Sequence, residues 1–379
     1  MLAGRPLIRR TAALAAVGGA VALSVRALSR PLPGAERRLF DWEAVRQAAR
    51  ARSGQRAGLR PGEAERLAVR YEAIAAEMVP FIAEVCGTPP ASIPRLTVLD
   101  RHGFIDANLV IVRRLIDPVE ALRAETPETT LTAFGRRLTS RYVGEVLGFM
   151  SQRVLGQYDP VLMLPGPALA PPPSGGGATP ALYLVEPNVL LLERGQDAPA
   201  EPLRRWLILH EATHAWQFEA HPWLGRHIGS LMRDLLGEGL APPAKQGLGP
   251  ELVRRMGGGV SGQLRGIGRL QAVMSVLEGY SNLVMHRVGR AHIEGFDELE
   301  AAFRRRQKER NLLERLILAV TGISVKLRQY EAGERFAEAL IAGGGYPLLN
   351  RVWEGPEMMP SMVELRAPDR WIARARKSA

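Results

Sequence analysis

The sequence predicts a mainly α-helical fold that carries a small β hairpin or sheet, an α+β chain. Three observations predict it. Apolar residues recur at helical spacing among Arg and Glu from Trp42 to Ala51 and from Pro61 to Val85. The strand-like runs are short and few, among them Leu96 to Arg101 and Ala181 to Val185. From Pro202 the helical pattern continues almost to the end, with Gly257–Gly259 and Gly343–Gly345 as breaks.

Composition narrows the function classes. The chain has 379 residues, 46% hydrophobic and 23% charged, which excludes wholesale disorder, collagen and coiled-coil fibre. Cys86 is the single cysteine, so an internal disulfide framework and any Cys-based zinc cluster are excluded. A metal would have to be held by His, Asp and Glu. The net charge is +11, and only Lys245, Lys308, Lys326 and Lys377 among the 50 basic residues are lysines. The arginines are dispersed rather than gathered into a stripe. With aromatics at 6% and no recognition motif, no specific nucleic-acid partner is expected.

The amino terminus has Arg5, Arg9 and Arg10 before an uncharged run from Thr11 to Val25. As a helix that run would rise about 22 Å, short of the roughly 30 Å hydrocarbon core. Residues 1–30 therefore read as a leader or a weak membrane anchor, with weak membrane association through residues 11–25. A cytoplasmic location is the expectation, and a membrane-anchored or exported chain the alternative. Residues 31–200 read as a helical part with a small β element. Within it, Gly156 to Pro160 reads as a turn, Ala181–Val185 as a strand, Glu186-Pro187-Asn188 as a turn, and Val189–Leu192 as the second arm of a hairpin. Residues 201–365 read as the catalytic part and 366–379 as a basic tail.

The chemistry is concentrated in His210-Glu211-Ala212-Thr213-His214. Pro202 suits the first turn of a helix and Pro222 limits its far end, so the motif sits on a helix. Residues i and i+4 share a helix face, so both imidazoles reach one metal ion. Glu211 is rotated about 100° from His210, beside the open position of such an ion, where it can take a proton from water. With seven histidines in the chain, chance supplies such a string roughly 0.01 times.

A catalytic zinc site needs a third protein ligand. Gln217 and Ala220 stand where one large class of zinc peptidases has Gly and His, so that class is excluded. His221 faces the same side of the helix but lies two turns past His214, which suits a rim or structural role. Glu278, amid apolar residues of a helical stretch, is the preferred ligand, because a carboxylate there is costly unless paired or metal-bound. Glu238, flanked by glycines that suggest a turn, is the alternative. Asn282, one turn after Glu278, is a candidate for orienting a ligand imidazole. Tyr280, His286 and Tyr158 are candidates for stabilising an oxyanion.

These residues carry a resemblance. His210 to Phe218, Pro222-Trp223-Leu224 and Leu277-Glu278-Gly279-Tyr280 resemble the actinobacterial zincin-like metallopeptidases, a family associated with biosynthesis of a deazaflavin coenzyme. Asp100-Arg101, Leu155 to Asp159 and Leu184 to Asn188 fit the same family, and the likeness runs over about residues 40 to 365. It implies a zincin-like fold, His210, His214 and Glu278 as metal ligands, Zn²⁺ as the cofactor and Glu211 as the base. The family has an acidic residue near the position of Asn282, where this chain departs. The expected activity is that of a zinc-dependent metallohydrolase acting on a peptide or protein, aligned along the hairpin that contains Tyr183. The alternative is a catalytically silent scaffold kept for binding.

Overall fold

The computed structural model describes residues 31–36, 38–54, 58–88, 95–121, 127–159, 181–195, 200–240, 250–308 and 323–377. The expectations for residues 1–30 lie outside them. The fold is mostly helical with a small three-stranded sheet. Among the described residues no helix is long and apolar enough to cross a membrane.

The chain divides into two compact units, residues 1–54 with 112–149 and residues 55–111 with 150–379. In the smaller unit, β1 (Pro31–Glu36) pairs antiparallel with β3 (Pro127–Thr129). Helix α1 (Trp42–Ser53) is capped by Asp41, whose carboxylate accepts from Ala44 N at 3.1 Å. Asp41 N donates to Ser140 Oγ on α4 (Thr130–Ser151), which joins the two helices.

The larger unit holds the three-stranded sheet, in the order β2 (Arg95–Leu99), β5 (Ala181–Val185), β4 (Gly156–Asp159). Strand β5 is the central one, parallel to β2 and antiparallel to β4. The sequence expectation for this region is corrected at three points. Gly156–Asp159 is a strand, not a turn. Glu186–Arg194 forms helix α5 rather than a turn and a second hairpin arm. Pro187 fits the first turn, and Val189 and Leu192 are buried while Leu191 is exposed, a helical spacing rather than an alternating one. Being central, β5 also has no open edge to offer a peptide.

Helices α2 (Glu63–Cys86), α6 (Ala200–Ala220), α7 (Trp223–Leu240) and α8 (Pro250–His292) build the core with α10 (Ile323–Asn350). Gly257–Gly259 lies inside α8 and does not break it. At Gly344 and Gly345 the backbone of α10 does leave the helix, with φ of +72° at Gly345. Within the stretch expected as a basic tail, helix α12 (Pro368–Lys377) follows α11 (Met362–Arg366). Trp371, Ile372 and Ala375 of α12 join the core, and Trp371 Nε1 donates to Met358 O.

Helix α6 is buried almost all round from Leu203 to Phe218, so its polar residues need internal partners. Arg204 meets Glu186 of α5 at 2.7 Å and Glu193 at 2.6 Å, with Arg204 and Glu186 both nearly inaccessible. Tyr71 of α2 donates to Glu186 Oε2 and accepts from Arg204. Burial first, and then the charge of Glu186, push the Tyr71 hydroxyl far above its ordinary pKa, so it stays a donor. This network ties α2, α5 and α6 together.

Removing one member of a buried ion pair strands the other. Arg204→Met should therefore destabilise the fold by about 3–5 kcal/mol. Adding Glu186→Gln to it should recover part of the loss. Urea denaturation of the three proteins measures both effects.

Candidate metal centre

Two helices supply the site. The motif helix α6 presents His210 and His214 one turn apart, and α8 presents Glu278. Gly279 sets how close α8 comes to α10. A Cβ there would lie 2.1 Å from the carbonyl carbon of Gly333, and one on Gly333 would lie 1.8 Å from Ser275 O. Only two glycines allow this crossing, which fixes the axial position of α8 at the residue next to Glu278.

The ligand atoms of His210, His214 and Glu278 all lie within 4.8 Å of one another. His210 Nε2 and His214 Nε2 are 3.2 Å apart, and Glu278 Oε2 is 3.6 and 3.5 Å from them. A tetrahedral zinc ion with bonds of 2.0–2.1 Å separates its ligand atoms by about 3.3 Å. The donor set, two imidazoles and a carboxylate, and its spacing both fit such an ion.

A further residue decides which nitrogen of His214 is bare. Gln217, fully buried, donates from Nε2 to Leu277 O at 2.9 Å. A carbonyl only accepts, so the amide nitrogen faces Leu277 and Gln217 Oε1 faces His214 Nδ1 at 2.9 Å. That oxygen can only accept, so Nδ1 carries the proton and Nε2 keeps its lone pair for a metal. Ser281 Oγ lies 3.2 Å from the same Nδ1. Burial disfavours the charged ring of His214. Even so, the hydrogen bond and charge of Glu278, then the charge of Glu211 and the bond to Gln217, raise its pKa above 6.5 without a metal.

Glu211 is 6% exposed, next to His210 on α6. Its carboxylate lies against the backbone of β4. A Cβ on Gly156 would stand 2.7 Å from Glu211 Oε1, so only glycine leaves room for the carboxylate. The start of β4 is held by neighbours: Asn188 Nδ2 donates to Ser151 O and Val154 O, and Val185 N donates to Leu155 O.

The structure does not bring every candidate to the trio. Glu238 lies on helix α7, not in a turn. Asn282 is half-buried on α8, but the contacts to His214 come from Gln217 and Ser281. Tyr280 projects about 200° around the helix from Glu278, and its hydroxyl donates to Asn350 Oδ1. Its ring packs on Trp216 and Trp353. His286 lies about 12 Å further along α8, between Glu300 and Glu334. Tyr158 on β4 donates to Glu219 Oε1 and packs on Phe218. His221 stacks on Trp353 and meets Trp216 edge-on, a packing role, and burial lowers its pKa to about 4. Gln217, Ser281 and Gly156 are not among the residues that the sequence singles out as partners of the site. Gln217 stands one turn after His214, and that spacing was the only signal.

The family model of the zincin-like metallopeptidases matches residues 40–372. The chain belongs to that family. A solved structure is also similar, a protein from Chloroflexus aurantiacus described as a candidate hydrolase with a novel fold. It is 32% identical, with a TM-score of 0.64 over 89% of this chain and 99% of that one. A comparison with curated proteins finds no match. For this zincin-like chain, the family match covers both site helices and reaches into α12, as far as Ile372.

Two outcomes follow. Gln217→Leu should weaken zinc binding by about 10–100-fold, read by competition with a chelator, because His214 loses the partner that holds its tautomer. His221 binds a proton more readily unfolded, at 6.5, than folded, at about 4. Stability should therefore fall as pH drops from 6.5 towards 4. His221→Phe, which keeps the stack without titrating, should flatten that limb in denaturant melts taken across the range.

Proposed function

We propose that this zincin-like protein is a zinc-dependent metallohydrolase that cleaves peptide bonds. The observation that carries the proposal is the meeting of His210, His214 and Glu278 within 4.8 Å, with Glu211 beside them. The residues that would hold the ion are His210, His214 and Glu278. Zinc, when bound, supplies Lewis acidity and lowers the pKa of a coordinated water towards about 7.

The protein's own groups do the rest. Glu211 accepts a proton from the attacking water at a carboxylate oxygen and returns it to the leaving amine. Its lateral freedom is limited by Gly156, whose Cα side it faces. Gln217 and Ser281 hold the ring of His214 in one orientation. Among the described residues the outer strand next to Glu211 is β4, at one end of the sheet order, with β5 on its other side. An extended substrate is therefore aligned along β4 rather than along the strand that contains Tyr183.

Metal analysis of the purified chain tests the reading. One zinc per chain, lost in His214→Ala and in Glu278→Ala, is the expected result. Affinity should fall as pH drops through the raised pKa of His214, because the ligand nitrogen must be unprotonated. Glu211→Gln should keep the metal and lower kcat on a peptide library by about 10²–10⁴-fold. A folded chain that binds no transition metal would overturn the proposal in favour of a binding scaffold. A loaded chain on which Glu211→Gln has no effect would overturn the role of the base.

A further inference from the structure

In the smaller unit, helix α4 carries a stripe of large apolar side chains turned to solvent. Phe134 is 66% exposed, Leu138 62% and Tyr142 55%. Their spacing of i, i+4 and i+8 puts them on one face, over a length of about 12 Å. Single exposed apolar residues are ordinary, whereas an aligned set marks a contact surface. The other large exposed apolar residues among those described are scattered over separate elements: Val69 on α2, Leu191 on α5, Ile267 on α8 and Val363 on α11.

The charge beside the stripe has one sign. Arg137 and Arg141 are exposed and flank it along one edge. The acidic side chain that follows, Glu145, is 3.7 Å from Arg52 Nε, so its charge is matched within the unit. A helix with Phe and Leu on one face, Tyr at its margin and arginines alongside has the make-up of an element that lies in a membrane interface. Arginine stems cover apolar surface while their heads reach lipid phosphates, and a tyrosine ring sits at headgroup level.

The path of the chain points to the same occupant. Pro31, where β1 begins, pairs with Thr129, one residue ahead of α4. The sequence of residues 1–30 thus joins the fold at the foot of the stripe. That sequence carries Arg5, Arg9, Arg10, Arg26 and Arg30 around the uncharged run from Thr11 to Val25.

We infer that the outward face of α4, formed by Phe134, Leu138 and Tyr142 with Arg137 and Arg141, docks on an anionic lipid surface. The helix lies in the interface and does not cross it. Attraction to anionic lipid brings the face to the surface, and burial of the three apolar side chains holds it there.

Flotation of the full chain with phosphatidylcholine vesicles, with and without phosphatidylglycerol, tests the inference. Binding is expected with phosphatidylglycerol and should weaken with salt. Phe134→Gln, Leu138→Gln and Tyr142→Gln together should lower the apparent partition coefficient about tenfold or more. Arg137→Gln and Arg141→Gln should each lower it about fivefold, and only with the anionic lipid. The substituted side chains are exposed, so thermal melts should be unchanged. Equal flotation of the apolar triple variant would overturn the inference and assign binding to residues 1–30 or to net charge. Absence of wild-type binding would overturn it as well. So would self-association of the wild type without vesicles that the triple variant abolishes, because the face would then be an interface between copies.

Discussion

A carboxylate kept from water must meet positive charge, and the core of this protein is arranged around one such group. Glu278 is 3% exposed, in the middle of an apolar helix. Two imidazoles converge on it from α6, and this meeting requires two helices far apart in sequence to be held in register. Gln217 holds them, with one end of its amide on His214 and the other on the carbonyl that precedes Glu278. The Gly279–Gly333 crossing holds the other side of α8. Movement at either contact separates the ligand atoms. The position of the metal site is therefore a property of helix packing, not of the motif alone.

Helix α6 meets different neighbours at its start, middle and end, which explains why so many of its residues are buried. Its first turns are tied to α2 and α5 by the network of Arg204, Glu186 and Tyr71. Its middle faces α8 through the histidines and faces β4 through Glu211. Its end packs Trp216 against Tyr280 and Trp353, with His221 closing the cluster. Polar and ionic groups inside a core add little net stability when paired, but they are costly when mispaired. A helix threaded with them has one register that satisfies all of them, so its position along the axis is specified more sharply than an apolar face alone would specify it.

The readable parts of the sequence were those whose signal is local. A contiguous HExxH on a helix states its own geometry, and Glu278 is conspicuous as a charge in an apolar helical run. The mainly helical class is legible for the same reason, since 3.6-residue periodicity needs no knowledge of partners. What could not be read depends on contacts between distant segments. Val189 to Leu192 is too short an apolar run for its period to separate helix from strand. Whether β5 is central or outermost depends on its pairing with β2, more than eighty residues away. The density of charge in residues 366–379 hides the three side chains, Trp371, Ile372 and Ala375, that anchor α12 in the core. For Gln217 the sequence offers only its one-turn spacing from His214, and its role is settled by Leu277 O beside it.

The small sheet earns its place through one backbone position. The carboxylate of Glu211 lies against Gly156, at the start of β4, the outer strand among the described residues. Any larger residue at 156 would displace either the carboxylate or the strand. This coupling bears on what the site can act upon. A substrate aligned by an outer strand presents an extended backbone, with its amides in line with the hydrogen-bonding groups of β4. The group nearest Glu211 would then be a backbone carbonyl rather than a side chain. An ester or a compact amide has no row of amides to use that edge and would depend on side-chain contacts alone. Within the proposed function, the contact between Gly156 and Glu211 is what favours a peptide among the substrates that a two-histidine, one-glutamate centre could hydrolyse.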